Sequence, residues 1–383
     1  MNPRTVLVIS PQPWMHIRIS KHNYAIALAR QGHKVVFMNP PVNGLATPSL
    51  FEESREDDRL EILSYRVPWF ARLRFHLPSV FDWLMERQLK RMLQTHQIVP
   101  DLVWCFDLNL FPTFGGIAGA AQIFHPVDPL SEPRHIQSAT SADLVLTVST
   151  KIADQLAPAG RPVHVINHGL AEPFERLARV RQAELKGVHG RRLTDQSTSK
   201  RRPQVGYAGN LGRGPVNRQV LRQIVQQNAQ ADFHFWGPAE ATSNDVTEFI
   251  EFLRGQSHVT LYGAVTQEQL ADGYCRMDLF LLSYLADLKE SDRSNSHKIL
   301  EYLSTGRVVV SSRIQAYEDT QNLLMMSGSE TDADLPEIFA KALATLSDLN
   351  SVALQLERIA LALDNTYDRQ IDRIFKLLKA ANS

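Results

Sequence analysis

Short apolar runs alternate with amphipathic stretches along most of the chain. The run from Thr5 to Ser10 predicts a buried strand, Ser20 to Gln31 an amphipathic helix, and Lys34 to Asn39 the next strand. The strand pattern recurs at residues 101–106, 122–125, 143–148 and 163–167. This alternation is typical of parallel sheets with crossover helices, so residues 1–170 are predicted to form one doubly wound domain.

The same alternation restarts at Gln204 after a polar segment. Residues 171–203 are rich in arginine and lysine and are predicted to form a linker with a basic loop. A basic patch for an anionic acceptor or a membrane is the functional alternative for this segment. Residues 204–364 carry a second set of strand and helix patterns and predict a second doubly wound domain. A long helical stretch near the C-terminus is predicted to break near Asp364.

Composition then narrows the class of protein. The 383 residues are 44% hydrophobic and 21% charged, which suits a soluble two-domain globular protein. Basic and acidic residues number 41 each, so the net charge gives no sign of bulk nucleic-acid binding. Cys105 and Cys275 are predicted to be buried lone thiols, which favours a reducing cytoplasm. The longest apolar stretch, Met277 to Ala286, is well short of the roughly 20 residues that span a bilayer.

Several enzyme signatures are missing from the sequence. The first strand is followed by SPQPW and by no G-x-G-x-x-G turn, which argues against a hydride-transferring dinucleotide enzyme. No Walker A, G-x-S-x-G, H-E-x-x-H or paired C-x-x-C motif occurs. Parallel sheets bind ligands at the carboxyl ends of their strands, so the predicted site lies in a cleft between the two domains.

A glycine-rich turn follows the first strand of the second half. Residues 207–214 read YAGNLGRG, in which Gly209, Gly212 and Gly214 allow the backbone to approach a ligand and Arg213 can neutralise a phosphate. Asn210 of the same turn is also a predicted ligand-binding residue. A plain glycine-rich turn is the alternative. The backbone from Gly263 to Val265 can hydrogen-bond the edge of a base, and an ordinary loop is the alternative there.

A third motif combines a helix start with cations. Ser294 or Asn295 is the predicted N-cap, and His297 and Lys298 lie in the first helical turn, where the helix dipole disfavours positive charge. A bound diphosphate would reverse that penalty. Glu301 lies on the same helix face and can accept two hydrogen bonds from a ribose diol. An exposed Lys298–Glu301 pair is the alternative. The predicted anion-binding turn consists of Asn295, Ser296, His297 and Lys298.

These blocks resemble the retaining GT-B glycosyltransferases, especially family 4 (glycosyl transferases group 1). The matching blocks are residues 141–174, VGYAGNL at 205–211, SNSHKILEYLSTGRVVVSS at 294–312 and NTYDRQIDRIFKLL at 365–378. The resemblance implies an α/β protein with two Rossmann-like domains facing across a cleft. It also implies that the last helix, about residues 365–383, crosses back to the first domain.

The resemblance further implies roles for particular residues. Lys298 would contact the diphosphate of a nucleoside diphosphate sugar, Glu301 its ribose, and Arg213 a further phosphate. The first domain would hold the acceptor, with His125 of IFHPVD near the reaction centre and Asp128 close behind. A satisfied strand-end histidine and a turn aspartate are the alternatives for those two residues.

The implied reaction is transfer of a sugar to an acceptor hydroxyl with retention, in cell-surface polysaccharide or glycolipid assembly. Because Lys298 and Arg213 can stabilise the leaving diphosphate, we expect no metal and no cofactor. Three positions depart from the family pattern. Arg293 stands where relatives often carry a glutamate, eight residues before the ribose-binding one, and Ser296 stands where proline is common. PWMH at 13–16 replaces the usual glycine pair of the first loop. A sugar-nucleotide epimerase of the same fold and a partner subunit with weak catalysis are the alternatives.

Residues 65–92 mix aromatic and basic side chains. The aromatic members are Trp69, Phe70, Phe75, Phe81 and Trp83, and the basic ones are Arg66, Arg72, Arg74, Arg87, Lys90 and Arg91. This composition predicts a peripheral contact with the inner face of the cell membrane, which would bring the protein to a lipid-linked acceptor. A packed helix with a solvated basic face is the alternative.

Overall fold

The computed structural model divides the chain into two compact units. Unit 1 comprises Met1–Asn167 and Tyr367–Ser383, and unit 2 comprises His168–Thr366. The structure describes residues 3–15, 18–41, 51–67, 69–107, 110, 117, 119–128, 130, 134–188, 201–240, 243–286, 293–320 and 323–381. His16 of the first loop and residues 189–200 of the predicted basic loop lie outside these ranges.

Unit 1 is built on an eight-stranded sheet in the order β3-β4-β2-β1-β5-β6-β7-β8. The strands are β1 (Thr5–Ile9), β2 (Lys34–Met38), β3 (Phe51–Asp57), β4 (Leu60–Tyr65), β5 (Leu102–Cys105), β6 (Ala121–Phe124), β7 (Leu144–Thr147) and β8 (Val163–Val165). The helices are α1 (Ser20–Arg30), α2 (Leu73–His76), α3 (Pro78–Thr95), α4 (Arg134–Ser141), α5 (Thr150–Leu156) and α14 (Tyr367–Ala381), with 3-10 turns at Trp69–Arg72 and Ala157–Ala159. The β3–β4 pair is antiparallel, whereas the other strand pairs are parallel.

The central strands of unit 1 are apolar because helices cover both faces of the sheet. In β1 the side chains of Val6, Leu7 and Val8 are fully buried. The last helix, α14, packs on α1, where the rings of Tyr24 and Tyr367 meet edge to face at 4.7 Å and Arg30 pairs with Asp368 at 2.6 Å. The C-terminal helix therefore completes the first unit, as the family resemblance implied.

Unit 2 is built on a six-stranded parallel sheet in the order β11-β10-β9-β12-β13-β14. Its strands are β9 (Gln204–Ala208), β10 (Asp232–Trp236), β11 (Val259–Gly263), β12 (Leu279–Leu282), β13 (Val308–Ser311) and β14 (Leu324–Met326). Its helices are α6 (Glu172–Val188), α7 (Arg218–Gln227), α8 (Asn244–Arg254), α9 (Gln267–Tyr274), α10 (His297–Leu303), α11 (Leu335–Ala344), α12 (Leu346–Leu349) and α13 (Val352–Asp364), with a 3-10 turn at Gln315–Thr320.

The prediction of a linker over residues 171–203 is wrong for Glu172–Val188, which form α6. Phe174, Ala178 and Leu185 recur at helical spacing and are buried. The charges that made the segment look like a loop pair along the helix surface four residues apart, as Glu175 does with Arg179 at 2.7 Å. The segment is thus an amphipathic helix of unit 2.

Two smaller predictions meet different outcomes. The break near Asp364 is confirmed, because α13 ends at Asp364 and α14 begins at Tyr367. The prediction of two buried thiols is right for Cys105 and wrong for Cys275, which is exposed.

Candidate functional site

The turn after β9 and the start of α10 meet at the carboxyl edge of the second sheet. β9 and β12 are neighbours in the sheet, and α10 follows β12 along the chain. A Cβ atom placed on Gly209 would lie 3.4 Å from Cε of Lys298. The lysine side chain therefore runs alongside the glycine turn.

Backbone packing explains why glycines occupy this edge. Gly237 has a φ of +126°, and a Cβ atom there would lie 2.2 Å from the carbonyl oxygen of Gly209. The Gly209 N–H in turn donates to the Trp236 carbonyl at 2.8 Å. The Asn210 side chain closes the turn by accepting a hydrogen bond from the Gly212 N–H at 2.9 Å. The turn is thus held by its neighbours in one conformation.

A small pocket opens between this turn and α10. Lys298 Nζ lies at its wall and donates to the hydroxyl of Tyr284 at 3.1 Å. The pocket is lined by Tyr207, Gly209, Asn210, Arg213, Pro215, Val216, Tyr284 and Lys298. The structure therefore brings Gly209, Asn210, Arg213 and Lys298 together around one space.

Helix α10 begins one residue later than the predicted caps suggested. Its N-cap is Ser296, whose side chain makes no capping hydrogen bond and whose Oγ lies 3.4 Å from the Tyr284 hydroxyl. Ser294 and Asn295 are buried before the helix starts. Because α10 spans only His297–Leu303, its dipole is small, and the positive charge here comes mainly from side chains.

Glu301 lies one turn into α10 and is buried. Its side chain is 12% exposed, and burial raises its carboxyl pKa to about 7, although the charge of Lys298 acts in the opposite direction. His297 Nε2 lies 3.8 Å from the carboxylate, and the His297 ring meets His168 edge to face at 5.9 Å. The alternative of an exposed Lys298–Glu301 pair does not describe this geometry, because Glu301 is buried and Lys298 donates to Tyr284.

Gly263 and Val265 lie further along the same sheet edge. β10 separates β11 from β9 in the sheet, and neither residue lines the pocket described above. Gly263 has a φ of +72°, and its carbonyl accepts a hydrogen bond from the Gly237 N–H at 2.7 Å. That carbonyl therefore already helps to hold the glycine turns, and contact of this loop with a base stays a prediction.

His125 and Asp128 belong to unit 1. His125 is fully buried beside the rings of Trp104 and Phe106, and the Trp104 indole N–H donates to its Nδ1 at 3.2 Å. With Nδ1 accepting, a neutral ring carries its proton on Nε2. Asp128 is exposed, and its charge acts on Lys21, a 2% exposed lysine whose pKa is lowered by burial to about 8. A catalytic role for either residue stays a prediction.

The sequence patterns did not identify three residues that support the pocket in the second unit: Tyr284, Arg293 and Asp332. Tyr284 follows β12 and contacts Lys298, and the Arg293 guanidinium donates to the Tyr284 carbonyl at 3.0 Å. Arg293 also pairs with the buried Asp332 at 3.0 Å. Arg293 was noted only as a departure from the family pattern. A tyrosine directly after the apolar strand LFLLS was the available signal for Tyr284.

Metal-binding clusters and membrane-spanning helices are both absent from the described residues. Within those ranges no group of three or more His, Cys, Asp and Glu side chains is arranged to hold a metal ion. No helix of the described chain is long and apolar enough to cross a membrane.

Part of the chain matches a family model, and nearly all of it shares its fold with solved structures. Residues 202–348 match the family model described as Glycosyl transferases group 1, whereas curated protein sequences yield no significant match. A glycosyltransferase from Rickettsia africae ESF-5 aligns over 100% of both chains with a TM-score of 0.67 at 13% identity. An alpha,alpha-trehalose-phosphate synthase (UDP-forming) from Burkholderia vietnamiensis aligns over 99% of both chains with a TM-score of 0.67 at 14% identity.

A third similar structure is Anabaena HepE in complex with UDP and glucose, with a TM-score of 0.62 at 14% identity over 97% of this chain and 99% of that one. At such identities these likenesses show the fold alone. The chain has the GT-B fold, and residues 202–348 of its second unit are similar to the glycosyl transferases group 1.

Proposed function

We propose that the protein moves a sugar from a nucleoside diphosphate sugar to an acceptor hydroxyl with retention at the anomeric carbon. Unit 2 binds the donor in this proposal, and unit 1 binds the acceptor, with His125 and Asp128 as the candidate catalytic residues. The acceptor is a sugar or a lipid-linked sugar in the assembly of cell-surface polysaccharide or glycolipid.

One observation carries the donor site. Lys298 and Arg213 line the same pocket as the glycine turn at Gly209, and Glu301 lies one helical turn beyond Lys298. Two cations beside a close backbone approach suit a diphosphate, whose negative charge grows as the sugar leaves. A buried carboxylate one turn away suits a ribose diol, which donates two hydrogen bonds to it.

The donor class can be tested with a small panel. Anabaena HepE was solved with UDP and glucose, so UDP-sugars are the first probes, with GDP-sugars and ADP-sugars beside them. Because a ligand of the native state raises its apparent stability, a thermal-shift screen identifies the preferred base. Turnover is then measured as release of the nucleoside diphosphate with a panel of sugar acceptors, and the anomeric configuration of the product is read by NMR.

Matched variants locate the site. Lys298→Ala is expected to weaken binding of the nucleoside diphosphate by about tenfold or more, because a charge-assisted contact is lost. Lys341→Ala, at an exposed lysine of α11, is the control and should bind as the wild type does. Equal affinity in both variants would remove Lys298 from the donor site.

The same assays separate the alternative functions. Conversion of the donor sugar without any acceptor would identify an epimerase. Binding of the nucleotide sugar with neither hydrolysis nor transfer would identify a partner subunit with weak catalysis. Transfer with inversion would overturn the proposed stereochemistry.

We also propose that the transfer needs no divalent cation, because Lys298 and Arg213 offset the charge of the leaving diphosphate. Activity is expected to survive an excess of EDTA, measured as nucleoside diphosphate release. Complete loss of activity on chelation, restored by added Mg²⁺ or Mn²⁺, would contradict this expectation.

A membrane-surface contact through α2 and α3 extends the proposal. Phe70 and Phe81 are packed in the core of unit 1, but Phe75 is 79% exposed and Trp83 56% exposed. The guanidinium of Arg87 lies 5.6 Å from the Trp83 ring centroid. The same surface exposes Leu77, Val80, Arg72, Lys90 and Arg91. Exposed apolar side chains beside basic ones suit an anionic lipid surface.

Vesicle flotation tests this contact. The protein should float with vesicles that contain phosphatidylglycerol and remain unbound with neutral phosphatidylcholine vesicles. Phe75→Ser with Trp83→Ser should abolish flotation, whereas Val99→Ser, at an 81% exposed position after α3, is the matched control. Equal flotation of both variants would contradict the assignment.

A further inference from the structure

Tyr284 joins the donor pocket directly to Lys298. Its side chain is almost fully buried, with 3% of the residue exposed, and it lines the pocket together with Gly209 and Arg213. The Lys298 ammonium donates to the Tyr284 hydroxyl at 3.1 Å and lies 5.8 Å from the centre of its ring. The tyrosine therefore limits where a long, flexible lysine side chain can place its charge.

The backbone of Tyr284 is fixed from several sides. Its N–H donates to the Ser312 hydroxyl at 2.8 Å, and it forms an isolated antiparallel bridge with Val216. The next N–H, that of Leu285, donates to the Pro215 carbonyl at 2.6 Å. These contacts fix the backbone from which the Tyr284 side chain extends.

Arg293 contacts both the Tyr284 backbone and Asp332. Its Nε donates to the Tyr284 carbonyl at 3.0 Å, and its Nη2 also reaches that carbonyl and pairs with Asp332 at 3.0 Å. Asp332 has no exposed surface and also accepts hydrogen bonds from Ser312 at 2.5 Å and Ser283 at 3.2 Å. Arg293 is not among the residues that line the pocket. It acts on the backbone that carries Tyr284.

We propose that Tyr284 is a positioning residue, which holds the Lys298 ammonium toward the diphosphate of the donor, and that Arg293 holds Tyr284 in place. This inference rests on the proposed donor site. It assigns Arg293 a role inside the protein at the position where relatives carry a sugar-facing glutamate. In this proposal the contact between Lys298 and the phosphate depends on the Tyr284 hydroxyl, which need not touch the ligand itself.

Calorimetric titration of the full chain tests the inference. The probes are UDP, GDP and ADP with their parent nucleosides, and the pair that the wild type binds best is used. Tyr284→Phe is expected to weaken diphosphate binding about fivefold to tenfold, because one hydrogen bond that orients the ammonium is lost. Nucleoside binding should stay within about twofold, since Lys298 does not act on the base. Tyr317→Phe, at a buried tyrosine outside the pocket, is the control.

A double-mutant cycle separates positioning from direct contact. In a Lys298→Ala background, Tyr284→Phe should cause no further loss of diphosphate affinity, because its effect passes through the lysine. Arg293→Lys keeps the charge beside Asp332 and cannot reproduce the two-atom contact with the Tyr284 carbonyl. It should lower diphosphate affinity in the wild-type background and add little in the Tyr284→Phe background.

The outcomes are distinguishable. A wild type that binds none of the nucleoside diphosphates overturns the proposed donor site, and this inference with it. A wild type that binds, with Tyr284→Phe within twofold of it, overturns the inference alone. A Tyr284→Phe loss that persists in the Lys298→Ala background, or that is equal for nucleoside and diphosphate, also overturns it.

Discussion

Glu301 is expected to destabilise the folded state above about pH 7. Burial raises its carboxyl pKa from an ordinary 4.5 to about 7. The native state therefore binds the proton more tightly than the unfolded state, and the penalty grows as pH rises from the unfolded pKa to the folded one. Above about pH 7 the full penalty is present, and below pH 4.5 it vanishes.

The magnitude follows from the size of the shift. The rise of the Glu301 pKa from 4.5 to about 7 corresponds to about 3 kcal/mol at pH 8, and about 1 kcal/mol of it is already present at pH 5. Glu301→Gln keeps the shape of the side chain and removes its titration. The variant should therefore be more stable than the wild type, by about 1 kcal/mol at pH 5 and about 3 kcal/mol at pH 8.

Urea unfolding of the full chain across this pH range measures the difference. Glu251→Gln, at an exposed glutamate in α8, is the matched control and should change the free energy of unfolding by less than about 0.5 kcal/mol. A gain for Glu301→Gln that is the same at pH 5 and pH 8, or a loss at pH 8, would refute the reasoning. A stabilised variant that also loses donor affinity would show a residue kept for binding at a cost in stability.

Three further expectations follow from the same structure. Binding of a nucleoside diphosphate at pH 6.5 should release protons, because ribose hydroxyls favour the charged form of Glu301. Calorimetry in buffers of different ionisation enthalpy would detect this release. Proton uptake on binding would contradict the expectation. Gly237→Ala should destabilise the protein by about 2–4 kcal/mol, since the new Cβ would collide with the Gly209 carbonyl. Gly255→Ala is the control and should not destabilise the protein, because the atom nearest to its new Cβ lies 3.5 Å away. Equal urea midpoints of the two variants would argue against the collision. Arg358→Leu should lower the free energy of unfolding in urea by about 3 kcal/mol or more, because the buried guanidinium donates to three backbone carbonyls that would lose their partner. A decrease of less than about 1 kcal/mol would show that water replaces the guanidinium.

The strands of both sheets could be predicted because buried parallel strands read as continuous apolar runs. The exceptions are β3, β4 and β14. Of these, β3 reads FEESRED and lies at the edge of its sheet. An edge strand pairs on one side only and tolerates polar side chains, so its sequence carries no such run. α6 escaped prediction for a related reason, since its ion pairs hide an apolar stripe that shows only at helical spacing.

The candidate site was predictable where its chemistry is local. Gly209 and Arg213 stand in one glycine-rich turn, and Lys298 and Glu301 stand one turn apart in one helix. The roles of Tyr284 and Arg293 depend on Asp332, which comes from a distant part of the chain and meets them only after folding. No periodicity or motif records such a contact.

Unit 1 begins at the start of the chain, but its last helix, α14, comes after all of unit 2. Unit 2 can therefore be complete before unit 1 is. A ribosome releases residues 168–366, which form all of unit 2, before it releases the helix that covers Tyr24 and His33 of unit 1. Until then, the apolar face of α1 has no partner from α14. The unit that is synthesised first is therefore the last to be finished, and its exposed helix face is the surface that a chaperone would meet during translation.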